Sequence, residues 1–114
     1  MRKEKRQRLE AAGWKVGTAQ DFLGLTDEEA TLVAVRAELA RVLKEARVER
    51  HWSQAQLASA LGSSQSRVAK MEAADKSVSI DLLVRSLIVS GASGTKIGEA
   101  FATVGRKRPA RKSA

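Results

Sequence analysis

Ser53-Gln54-Ala55-Gln56-Leu57-Ala58-Ser59-Ala60-Leu61-Gly62-Ser63-Ser64-Gln65-Ser66-Arg67-Val68-Ala69-Lys70-Met71-Glu72 is the stretch on which the reading of this 114-residue chain turns. It contains two helix starts. Ser53 followed three residues later by Gln56 is a capping box, and Ser63 or Ser64 supplies an N-cap for a second helix running to about Ala74. Between them stands Gly62, a residue that takes positive φ without steric cost and so ends the first helix in a sharp reversal. Leu57, Ala58 and Leu61 on the first helix, and Val68 and Met71 on the second, supply apolar surface for a crossing. Ala58 is small enough to let the helices approach closely. What remains on the second helix is Gln65, Ser66, Arg67 and Lys70, an amide-, hydroxyl- and cation-bearing face.

Working outward, the same local signals recur. Thr26 with Glu29 forms a capping box. Asp27, Glu28 and Glu29 suit the positive start of a long helix over about Asp27 to Glu49. On it Leu32, Val35, Leu39, Val42, Leu43 and Ala46 recur at three- and four-residue steps as one apolar stripe. Beyond the quoted stretch, Ser77 or Ser79 caps a fourth helix carrying Ile80, Leu83, Val84, Leu87 and Ile88, which Gly91 stops. Ser93 or Thr95 starts a fifth, with Ile97, Ala100, Phe101 and Val104 inward and its end at Gly105. No segment alternates with strand period. The fold expected is all-α, a compact five-helix bundle, divided as an arm over 1–25, a helical domain over 26–104 and a basic tail over 105–114.

Charge is distributed unevenly. The formal net charge is +8, and it resides at the ends: Arg2, Lys3, Lys5, Arg6 and Arg8 at one, Arg106, Lys107, Arg108, Arg111 and Lys112 at the other. The body between is close to neutral. Basic ends attract polyanions, nucleic acid foremost, although solvated tails read the same way. The outward face of the second short helix fits that partner. Gln pairs with adenine, Arg or Lys with guanine, and Ser with phosphate or base in the major groove of a duplex.

The pattern Ser53-Gln54, Leu57-Ala58, Leu61-Gly62, Ser64-Gln65, Val68, Met71-Glu72 resembles the Cro/C1-type (XRE) helix-turn-helix family of phage repressors and bacterial regulators, over about residues 32–90. The resemblance implies a lambda-repressor-like fold and a transcriptional repressor that binds a double-stranded DNA operator. It implies that Gln54 and Ser64 hold phosphates at the helix starts, beside Ser53, and that Gln65, Ser66 and Lys70 face bases. Arg67 does either, and Lys76 in the following loop is a further phosphate contact. The chain departs from the family where its usual Asn-Gly helix end gives way to Ala73-Ala74-Asp75. One short recognition helix gives little contact area, so a homodimer is expected, placing two such helices about 34 Å apart on one face of the duplex. Leu87, Ile88, Ile97 and Phe101 are candidates for the dimer contact or, equally, for the monomer core.

The segment before the first long helix holds Trp14, Val16, Phe22, Leu23 and Leu25 among three glycines. With the helix that follows, it resembles the HigA-type antitoxins of toxin–antitoxin pairs, which implies a grip on a RelE-fold (HigB-like) ribonuclease toxin. An apolar arm of this kind can order on a partner, or fold back on its own helices. A stand-alone regulator and a protein-binding adaptor are the rival readings. Catalysis has little support: no cysteine is present, His51 is the only histidine, and Gly91-Ala92-Ser93-Gly94-Thr95-Lys96 lacks the spacing of a phosphate-binding loop. No metal or cofactor is expected. No apolar run reaches the length of a membrane span and no signal-peptide core follows the basic start, so a cytoplasmic, nucleoid-associated protein is expected.

Overall fold

The computed structural model describes residues 24–107, and among them all regular structure is helical. Five helices follow in order: α1 (Asp27–Glu49), α2 (Gln54–Leu61), α3 (Gln65–Glu72), α4 (Ile80–Val89) and α5 (Gly94–Lys107). The chain divides into two units, Met1–Leu32 and Val33–Ala114. Among the described residues no helix is long and apolar enough to cross a membrane.

In the first unit, the expected capping box opens α1. The Thr26 N–H donates to Glu29 Oε1 at 2.8 Å, and the Glu29 N–H donates to Thr26 Oγ1 at 3.0 Å. Two of the four orphan donors of the helix start are thereby satisfied.

The second unit is built on a core to which all five helices contribute. Val35, Leu39, Val42 and Leu43 of α1 are buried with Leu57 and Ala58 of α2, Val68 and Met71 of α3, Leu83 and Leu87 of α4, and Ala100 and Val104 of α5. Burying a side chain of Leu, Val or Met size contributes about 1.5–3 kcal/mol each, so this cluster, and not intrinsic propensity, holds the two eight-residue helices α2 and α3, which are too short to persist alone. Polar groups are worked into the packing as well. Ser86, fully buried, donates to the Leu82 carbonyl at 2.8 Å and lies 3.3 Å from the Met71 sulfur. Arg36 Nε donates to the Val78 carbonyl at 2.9 Å, tying α1 to the loop between α3 and α4.

Serine caps the remaining helices: Ser53, Ser64, Ser79 and Ser93 each accept the N–H of the residue three further on. The first four helices also end alike. Just past each end a backbone N–H returns five residues, Trp52 to Arg47, Ser63 to Ala58, Asp75 to Lys70 and Ala92 to Leu87, with a second, shorter return inside it. This is the Schellman arrangement, and it demands a left-handed residue at the pivot. The pivots are His51 (φ 59), Gly62 (φ 66), Ala74 (φ 56) and Gly91 (φ 89). Two of the four are not glycine. Ala73-Ala74-Asp75 therefore makes the same helix end as an Asn-Gly would, with Ala74 held where a Cβ is unfavourable by about 1–2 kcal/mol.

Ala74→Gly should consequently stabilise the domain. Removing the strain gains more than the added unfolded-state entropy and the lost contact of a half-buried methyl take away, leaving a net gain of up to about 1 kcal/mol. Thermal unfolding should shift upward by a few degrees. An unchanged or lower midpoint would mean that the Ala74 methyl packs better than its backbone suffers.

Three details differ from expectation. α3 stops at Glu72, because the Schellman turn takes up Ala73 and Ala74. α5 continues through Gly105 to Lys107. Phe101 is 44% exposed instead of inward, since α5 presents the line Ile97, Ala100 and Val104 to the core and Phe101 lies beside that line, one step further round the helix.

Candidate nucleic-acid interface

The α2–α3 pair starts from its caps. The Ser53 side chain accepts from the Gln56 N–H at 3.1 Å, and the Ser53 N–H donates to Gln56 Oε1 at 2.7 Å. Eight residues later Leu61 ends α2, and Gly62 turns the chain. Ser64 then caps α3 through the Arg67 N–H at 3.2 Å, with the Ser66 hydroxyl 3.3 Å away. Leu57, Val68 and Met71 are fully buried in the crossing, and Ala58 is nearly so. With Val68 and Met71 committed inward, the helical period of α3 leaves Gln65, Ser66, Arg67 and Lys70 on the opposite side. All four are exposed, as are Ser53, Ser64 and Lys76.

A buried ion pair fixes this unit to α1. Arg47 Nε lies 2.5 Å from Glu72 Oε2, and Arg47 Nη2 donates to Glu72 Oε1 at 3.1 Å. The side chains are 12% and 5% exposed, respectively. Arg47 also donates from Nη1 to the Trp52 carbonyl at 2.7 Å. The remaining capacity of Glu72 Oε1 is taken by Gln54 Nε2 at 3.1 Å. One guanidinium thus joins the end of α1, the entry to α2 and the end of α3. A fork-to-fork contact of this kind carries geometric specificity as well as energy. Next to it, Arg50 stacks its guanidinium over the Trp52 ring at 4.1 Å from the centroid.

The electrostatic consequence is direct. Glu72, the acid nearest the exposed face in sequence, is neutralised inside, so α3 offers Arg67 and Lys70 outward without a competing carboxylate of its own. Asp75 stands in the following loop, where hydrogen bonds from the Ser77 hydroxyl and backbone N–H hold its carboxyl below the ordinary aspartate range. Lys70 and Lys76 act on it in the same direction.

Of the sequence-derived site residues, the structure gathers Ser53, Gln54, Ser64, Gln65, Ser66, Arg67 and Lys70 on the two helices of one unit, with Lys76 in the loop that follows. Gln54 differs from the others: it is half-buried and already engaged by Glu72. Trp14, Val16, Phe22 and Leu23 lie outside the described residues. Leu25 lies within them, one residue before the cap of α1. Among the dimer candidates, Leu87 is fully buried and Ile97 packs against the core, which assigns both to the monomer, while Ile88 is 63% exposed. The Arg47–Glu72 pair is the feature that sequence reading missed. Its only local signal is a lone acid closing a helix that is otherwise free of acids.

Residues 43–85 match the helix-turn-helix family model. This segment is a helix-turn-helix domain. It covers the last turns of α1, all of α2 and α3, and the first half of α4. The fold of the helix-turn-helix domain is accordingly lambda-repressor-like. Its presence supports a DNA-binding transcription regulator. No curated protein and no solved structure matches the chain.

Proposed function

We propose that the protein is a sequence-specific transcriptional repressor that binds a double-stranded operator as a homodimer and acts by binding, not by catalysis. The observation that carries this reading is the placement of Gln65, Ser66, Arg67 and Lys70 on the exposed side of α3 while Val68 and Met71 anchor its other side. Gln65, Ser66 and Lys70 face base edges, Arg67 faces base or phosphate, and Ser53, Gln54, Ser64 and Lys76 face the backbone of the duplex. Two-fold pairing is supported by large apolar side chains left outward on the last two helices, Ile88 and Phe101.

The repressor is further proposed to be the antitoxin of a toxin–antitoxin pair, neutralising a RelE-fold ribonuclease through Trp14, Val16, Phe22, Leu23 and Leu25. This assignment rests on the sequence of the arm and its likeness to HigA-type proteins. A stand-alone regulator is the rival, and one experiment addresses both. The wild-type chain is used to select duplexes from a random-sequence pool and, separately, to capture a co-expressed small ribonuclease encoded beside its gene. Enrichment of an inverted repeat supports the dimeric repressor. Capture that disappears on Trp14→Ala with Phe22→Ala supports the antitoxin. A recovered pool without any preferred sequence contradicts the repressor, and a ribonuclease left uncaptured by the wild-type chain contradicts the antitoxin.

A further inference from the structure

Gln54 presents a puzzle within the reading above, on which this inference rests. A side chain expected at the DNA backbone spends one of its amide hydrogens on a carboxylate that is itself nearly inaccessible. The geometry points to Glu72 as a positioning residue for the backbone contact of Gln54: its buried carboxylate decides which way the Gln54 carboxamide faces.

An ionised carboxylate only accepts hydrogen bonds, whereas a carboxamide has one accepting and one donating end. Next to Glu72 Oε1, 3.1 Å away, Gln54 has one admissible orientation, with Nε2 toward Glu72. Its second N–H is then fixed in direction as well, at the first position of α2. Glu72 cannot swing to follow a different amide orientation, because Arg47 grips both of its oxygens and is itself held by the Trp52 carbonyl, immediately before the cap Ser53. The chain of donors and acceptors therefore runs from the end of α1 through Glu72 to the start of α2. The other amide in this turn is unavailable for the same task, since the Gln56 carboxamide oxygen closes the capping box on Ser53. An oriented donor loses less freedom when it meets a phosphate oxygen, and polarisation by the carboxylate strengthens its remaining N–H.

The test is a double-mutant cycle on the full chain with the duplex recovered by selection against the wild type. Gln54→Ala should weaken binding roughly tenfold, the size of one hydrogen bond to a charged group. Glu72→Gln replaces the acceptor-only group by one that tolerates either amide orientation, and should lose most of the same factor. The double variant should then bind within about twofold of Gln54→Ala alone, the limit of independent effects being the product of the two losses. Equal losses from Glu72→Gln with and without Gln54 would overturn the positioning role and leave Glu72 a purely structural residue, as would full affinity in folded Glu72→Gln.

A second measurement stands whether or not that variant folds. In the wild-type chain, the two side-chain N–H protons of Gln54 should resonate well apart, and at least one should shift when the selected duplex is added. A pair at free-amide positions, or one indifferent to the duplex, overturns the inference. If selection recovers no preferred sequence, the DNA reading falls and this inference with it. Additive losses on a selected duplex remove the positioning role alone.

Discussion

Glu72→Ala should lower the stability of the helical domain by about 3–5 kcal/mol, the usual cost of removing one partner of a buried ion pair. The size follows from what the truncation leaves behind. Arg47, only 12% exposed along its side chain, would keep its charge without the carboxylate that grips it, and Gln54 would lose its acceptor. Three helices would lose a common fastening at once. Domains of this kind have about 5–15 kcal/mol of stability in total, so a large part of the margin disappears. Urea unfolding followed by circular dichroism measures it directly. A midpoint within the scatter of the wild type would mean that water reaches Arg47 freely and that the pair is ornamental to the fold.

Removing two contacts on the outer face of α3 should act on binding alone. Gln65→Ala with Lys70→Ala deletes an amide and an ammonium that are exposed in the free protein, so neither burial nor capping changes, and the unfolding midpoint should stay within a degree or two of the wild type. Each well-formed base contact discriminates by about 1–3 kcal/mol. The pair should therefore weaken binding to the selected duplex at least about thirtyfold, from roughly 1.4 kcal/mol per factor of ten. Binding to an unrelated duplex should fall much less, since base-edge contacts carry the sequence-dependent part of the affinity and phosphate contacts the rest. Equal losses on both duplexes would assign these side chains to general electrostatics.

The two variants separate what the fold needs from what the interface needs, and the same division explains how much of each the sequence makes legible. Caps were legible because they are local: Thr26, Ser53 and Ser64 announce themselves within three residues, and Gly62 announces a reversal by its own lack of a side chain. The core positions of α2 and α3 were legible for a related reason, since a helix of eight residues has one inward face, and Leu57 and Leu61 on one helix and Val68 and Met71 on the other are the large apolar residues that define it. The exposed quartet on α3 followed by subtraction. His51 and Ala74 as left-handed pivots were not legible, because nothing in either residue type advertises that conformation; the helix ends are imposed by packing, and the residue present bears the strain. Phe101 was misplaced because hydrophobicity alone does not say where a buried stripe ends. The fastening of Arg47 to Glu72 was invisible because it joins residues 25 apart in the chain, a separation that only tertiary structure brings to contact.

The same residues link stability and recognition without merging them. Arg47 and Glu72 spend their charges on each other, which keeps the outer side of α3 cationic and also sets the entry angle of α2. The left-handed turn at Gly62 then delivers Ser64 to its capping position.

The proposed repressor lays the Gln65, Ser66, Arg67 and Lys70 side of α3 in the major groove of a duplex. Intermolecular nuclear Overhauser effects between the isotope-labelled chain and the selected duplex test it most directly. The predicted result is contact from the Gln65 and Lys70 side chains to major-groove protons, such as thymine methyl groups and cytosine H5. Contacts confined to other helices, with the outer side of α3 silent, would contradict it.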